Sequence, residues 1–242
     1  MARRPQTAEP ETSVEPDVSE DGRHCAALNA YGSYLYGQGR WEEARDVFAK
    51  ALKVLPDDEA TQRNLAIAMS ACGDSDEAVQ ILAGLTARHQ GDASLHNSFG
   101  LVLHSAGRFE EAGREFERAT ELVPSEYIYW HHKGTNALAL GRTSEAIGAL
   151  ARAVALPGAA PACYYNLAMA LGAAGETERA TMFLQKAVSL RSEDPELLVR
   201  SASMMKAWGR RVAAVECLRT FIDSGKRNHK VEDLLRELTA ET

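Results

Sequence analysis

Two positions of this chain repeat every 34 residues without a slip. Glycine stands at Gly39, Gly73, Gly107, Gly141, Gly175 and Gly209, and alanine at Ala44, Ala78, Ala112, Ala146, Ala180 and Ala214. A period of roughly 20–50 residues marks a stack of small supersecondary units, each burying its apolar face only against its neighbours. The 242 residues therefore form one extended array instead of a domain around a single closed core.

Counted from Cys25, the units are 25–58, 59–92, 93–126, 127–160, 161–194 and 195–228. Each reads as two helices joined by a turn. In the third unit Phe99, Gly100 and Leu103 precede the Gly107 turn, and Ala112, Phe116 and Ala119 follow at helical spacing before Pro124 ends the second helix. The first unit repeats this with Tyr31, Gly32, Trp41, Ala44, Phe48, Ala51 and Pro56. Gly32, Ala66, Gly100, Gly134, Ala168 and Ala202 share one unit position, which lets paired helices approach closely while larger residues fill the space between them. Trp41 and Phe109 share another position, and Trp130 and Tyr164 a third; both pairs are expected to be packing residues.

This pattern resembles the tetratricopeptide repeat (TPR), over six consecutive units spanning residues 25–228. The resemblance implies an all-α fold, a right-handed α-solenoid of helix-turn-helix repeats. The departures are local: Leu85 and Gln90 replace the small residue and the proline of the second unit, and Phe221 replaces the small residue of the sixth. After Asn228, a cap candidate, Val231, Leu234, Leu235 and Leu238 fall on one stripe, so residues 229–242 are expected to form a C-terminal capping helix over the last apolar face. Residues 1–24 are polar, acidic and proline-containing, and are expected to be a disordered tail.

The net charge of −7 is concentrated in that tail, where six acids face only Arg3 and Arg4 in residues 1–22. The near-neutral remainder gives no electrostatic reason to expect nucleic acid or an anionic membrane as a partner. Cys25, Cys72, Cys163 and Cys217 are far apart and form no C-x-x-C pair, which indicates neither a disulfide framework nor a zinc site. The N-terminal sequence carries no apolar run of signal-peptide type, so a cytoplasmic protein is expected. Residues 153–175 lack charge, but Pro157, Gly158 and Pro161 break them as a membrane span.

The resemblance places unit positions 2, 5, 6, 9, 12 and 13 on a concave groove that binds protein ligands. Here these include Asn29, Arg63, Asn64, Ile67, Asn97, Leu101, His104, Ile128, His131, His132, Tyr165, Asn166, Met169, Arg200 and Lys206. Arg63, Arg200 and Lys206 outnumber Glu196, which favours an acidic peptide. The asparagine amides suit a peptide backbone, since each offers both a donor and an acceptor. The Lys/Arg/Asn set that grips a C-terminal carboxylate in some family members is missing, because Asn29, Ser94 and Ser98 stand at its lysine positions. His104, His131 and His132 lack a Cys or carboxylate at ligand spacing, so no metal or other cofactor is expected.

No convergent catalytic arrangement is visible, and the chain reads as a non-enzymatic protein-protein interaction module holding a partner peptide or helix in its groove. The alternative is self-association, as a scaffold or accessory factor of bacterial pilus, secretion or organelle assembly.

Overall fold

The computed structural model describes residues 19–191 and 193–240. Among them are thirteen helices and no strand. The first pair is α1 (Glu20–Gly37) and α2 (Trp41–Val54), followed by α3 (Glu59–Cys72) with α4 (Ser75–Arg88) and α5 (Ala93–Ser105) with α6 (Phe109–Leu122). The second half continues with α7 (Tyr127–Ala139) and α8 (Thr143–Ala155), α9 (Pro161–Ala173) and α10 (Thr177–Leu190), and α11 (Pro195–Ala207) and α12 (Arg211–Asp223). A last helix, α13 (His229–Ala240), packs on α11 and α12.

Each unit turns at its glycine. All six unit glycines take positive φ, from 70° at Gly141 to 97° at Gly73. There the following N–H reaches back to the carbonyl five residues earlier, as from Arg108 to Leu103 at 2.9 Å and from Asp74 to Met69 at 2.9 Å. This Schellman-type closure satisfies helix-end carbonyls and needs a residue that enters the left-handed region at no steric cost. The return to the next unit is capped by aspartate: the carboxylates of Asp58, Asp92 and Asp194 accept backbone N–H bonds at the starts of α3, α5 and α11. At α9 Pro161 opens the helix instead.

The shared small position lies where the two helices of a unit meet. Ala66, Ala168 and Ala202 are fully buried, and at Gly32 and Gly100 an added Cβ would lie 2.6 Å from the rings of Phe48 and Phe116 respectively. Along the stack the odd-numbered helices from α1 to α9 also pack on one another in succession, whereas among the described even-numbered ones comparable packing is seen between α10 and α12. The odd helices are therefore the inner, more tightly spaced layer, and their outward side is the candidate groove.

Three sequence expectations change. α1 begins at Glu20 instead of after residue 24, because Ser19 caps it by accepting from the Gly22 N–H at 3.1 Å and Glu20 and Asp21 favour the positive end of the helix dipole. The remainder of the expected tail, residues 1–18, lies outside the described residues. Trp130 and Tyr164 are half-buried and not core: they cover the end of the preceding unit, the Trp130 indole donating to the Pro124 carbonyl at 2.9 Å. Lys133 and Arg152 flank the Trp130 ring. Trp41 is 44% exposed, while its equivalent Phe109 packs edge-on against His104.

The charge-free segment is broken between Ala155 and Pro161, and no described helix is long and apolar enough to cross a membrane. Asn228 caps α13 through bonds from the Lys230 and Val231 N–H groups. Val231 and Leu238 are buried beneath it.

Candidate functional site

The fifth residue of one unit and the sixth of the next meet across successive inner helices. The Asn64 amide donates to Asn29 Oδ1 at 2.9 Å, His132 Nδ1 donates to Asn97 Oδ1 at 2.7 Å, and the Asn166 amide donates to His131 Nε2 at 2.9 Å. Arg200 continues the series, its guanidinium lying 5.0 Å from the centre of the Tyr165 ring and 3.4 Å from its hydroxyl. The chain spacing is 35 residues in all four cases, one more than the repeat. The one junction that departs is that of the second and third units, where Arg63 donates to Ser94 at 3.3 Å instead.

The groove asparagines are therefore partnered within the fold. Each such bond stabilises by about 0.5–1.5 kcal/mol net, and together they set the angle between successive units. A ligand would meet the edges of this ladder, with Leu101 38% exposed and Ile67 and Met169 half-buried beside it. Lys206 is not a groove cation, because its ammonium pairs with Glu237 of α13. Arg63 and Arg200 have no carboxylate partner among the described residues.

A cleft of about 360 Å³ opens at the C-terminal end of this face. Tyr165, Asn166, Leu197 and Arg200 line it together with Arg191, Asp194 and Glu196. Its position follows from the fold: Pro161 and Asp194 begin α9 and α11, so the first turns of both helices face one another across the opening.

The middle of the groove carries a polar seam that sequence reasoning divided among separate residues. His104 Nδ1 donates to Asn136 Oδ1 at 2.9 Å, and the Asn136 amide donates to the Phe109 carbonyl at 2.9 Å. In the first turn of α5, at the opposite end of that helix from His104, His96 is held between Glu115 at 2.7 Å and the Gln90 carbonyl at 3.1 Å. Asn136 is 1% exposed, at a unit position occupied by Ala68, Val102 and Ala170 elsewhere. That break in an apolar column was visible in the sequence. Gly113 makes room for it, since a Cβ there would lie 3.3 Å from the Asn136 amide.

The seam separates the buried clusters on either side, one ending at Phe116 and the next beginning at Ala137. Burial lowers the pKa of His131. His132 is lowered to about 4 by burial and by the nearby His131 and His104. Because Asn166 donates to His131 Nε2, the neutral ring carries its proton on Nδ1, a buried atom without a partner among the described residues. Among the described residues no three His, Cys, Asp or Glu side chains gather as a metal would require.

Tetratricopeptide repeat families match residues 35–98 and 132–195, together more than half of the chain. The chain is a TPR protein. It is 27% identical over 151 residues to a tetratricopeptide repeat-containing protein, trd-1, of Caenorhabditis elegans. That alignment covers 62% of this chain and only 19% of the relative. A thermophilic TPR protein of Thermus thermophilus superposes with a TM-score of 0.66 at 23% identity, covering 75% of this TPR chain and 98% of the other. PilW, described as a widely conserved type IV pilus biogenesis factor, superposes with a TM-score of 0.70 at 19% identity, covering 88% and 99%. At these identities the solved structures establish a shared all-α TPR solenoid.

Proposed function

We propose that this TPR protein binds an acidic, extended segment of a partner protein along its inner helices, anchored at the cleft beside Tyr165 and Arg200. One observation carries the reading. Arg200 lies over Tyr165 in the lining of a cleft of about 360 Å³ and has no carboxylate partner among the described residues. A guanidinium held in place by an aromatic ring is pre-oriented for a carboxylate, and the ring offers an apolar surface to the ligand's methylenes. Arg63, which donates to Ser94, supplies a second cation without a carboxylate partner among the described residues, so the field along the face favours an acidic chain. The ladder asparagines contribute by holding the helices at a fixed spacing and by presenting their unused lone pairs and N–H groups to the ligand backbone.

The test is capture of partners from the source organism by the wild-type chain and by an Arg63→Glu/Arg200→Glu variant. Affinity for a groove ligand is expected to fall at least about tenfold, or ~1.4 kcal/mol, with the melting temperature nearly unchanged because both side chains reach solvent. Partners retained equally by both proteins would place binding on another face.

A further inference from the structure

Among the described residues, one end of the stack is uncovered. Unit positions 3, 7 and 10 of every inner helix face the preceding unit. In α3 they are Thr61, Leu65 and Ala68, in α5 Leu95, Phe99 and Val102, and in α9 Cys163, Leu167 and Ala170, all buried or half-buried. In α1, which no described unit precedes, the same positions hold Ala27, Tyr31 and Tyr34. Tyr31 is 50% exposed and Tyr34 60%, although in the other helices these positions are occupied by residues that a neighbour covers.

The stripe continues in both directions, from Glu20 at the start of α1 to its C-cap Gln38. Glu20, His24, Ala27, Tyr31, Tyr34 and Gln38 are all exposed, and their spacing alternates between four and three residues. That is the spacing of a helix face that packs against another helix. The stripe is also self-complementary in one antiparallel register. With a two-fold axis at the level of Asn29, small Ala27 of one copy faces bulky Tyr31 of the other, His24 faces Tyr34, and Glu20 faces Gln38. Every layer thus pairs a small with a large group or a hydrogen-bond donor with an acceptor, and none opposes like charges.

We propose that α1 is a homodimerisation face, on which two copies of this chain pack their first helices antiparallel about a two-fold axis. The eighteen residues ahead of Ser19 are a poorer occupant. They contain Pro5, Pro10 and Pro16, and Met1, Val14 and Val18 are their only large apolar side chains, without helical spacing. A single helix pair about 27 Å long covers less than the roughly 800 Å² per partner of a standard stable interface. The dimer is therefore concentration-dependent, and it leaves the groove at the other units free for a ligand. This inference is independent of the groove reading.

Sedimentation equilibrium of the full chain from about 1 to 200 μM tests it, in a range that spans micromolar dissociation constants. The wild-type mass is expected to rise from 26.3 kDa toward twice that value. Tyr31→Lys and Ala27→Asp are each expected to move the transition at least about tenfold higher in concentration, with unchanged thermal melts because both positions are exposed. Mixing the two variants is expected to restore the dimer, since in the proposed register the introduced charges face each other. A wild-type mass that stays at 26.3 kDa throughout would overturn the proposal and assign the stripe to residues 1–18 or to another protein. A dimer unaffected by Tyr31→Lys, or single variants whose mixture stays monomeric, would overturn it as well.

Discussion

Acidification from about pH 7.5 to 4.5 is expected to remove roughly 2–3 kcal/mol more folding stability from the wild-type chain than from His132→Asn. His132 of α7 reaches to α5, with Asn97 on its Nδ1, the Phe116 ring beside it and His131 and His104 close by. No carboxylate contributes to its lowered pKa, which arises from burial first and from the two other imidazoles second. Its folded pKa of about 4 lies below the ordinary value of 6.5, so the folded state resists the proton that the unfolded chain accepts. Stability is therefore full above about pH 6.5 and is lost as pH falls toward 4, where the folded ring also protonates and the loss levels off. A tenfold difference in proton affinity between the folded and unfolded chain corresponds to about 1.4 kcal/mol, which sets the size of the effect.

Asparagine is the informative replacement because Asn64 and Asn166 occupy the same unit position, and the Asn29–Asn64 pair shows the geometry that Asn97 would make with it. Urea melts of both proteins across this range isolate the imidazole from the general acid loss of carboxylate pairs. Parallel stability curves would show that the ring titrates freely in the fold.

The seam and the ladder differ in how far the sequence reveals them. The 34-residue recurrence of Gly107 and its equivalents requires a left-handed residue at a fixed interval, and only a helix turn repeated in register supplies that demand. The helix pairs and the close approach at Gly100 follow from the same count. Partners across the groove do not. Asn29 and Asn64 are 35 residues apart, and whether their amides meet depends on the angle between units, which no single unit encodes. Asn136 is an intermediate case: its polarity in an apolar column signals a buried bond, but its partners, His104 and the Phe109 carbonyl, belong to the unit before. Lys206 shows the same limit at the stack's end, where its place in the repeat points to the groove and α13 brings Glu237 to it.

Replacement of Gly100 by alanine is expected to cost about 2 kcal/mol, and Phe116→Leu is expected to relieve most of that cost. The added Cβ would lie 2.6 Å from the Phe116 ring, closer than carbon atoms tolerate, and the ring is 1% exposed with no room to swing away. Overpacking of this kind costs up to about 3 kcal/mol, offset by about 1 kcal/mol because alanine favours the helix more than glycine does. The rescue follows from the chain's own alternatives. The units with alanine at this position, Ala66, Ala168 and Ala202, carry Leu82, Leu184 and Leu218 at the facing position, and the glycines Gly32 and Gly100 face Phe48 and Phe116. One methyl on the first helix thus exchanges for the larger ring on the second. Gly134 marks the limit of that exchange. It already faces Leu150, whose Cγ would lie 2.5 Å and whose backbone nitrogen 3.2 Å from an added Cβ, so the facing backbone as well as the side chain limits the space there. Gly134→Ala is therefore expected to remain destabilised whatever replaces Leu150, because the backbone itself must move. A double-mutant cycle at Gly100 and Phe116, measured by chemical denaturation, gives the coupling directly, and a cycle that closes with no coupling would mean that the helices separate instead of the side chains exchanging volume.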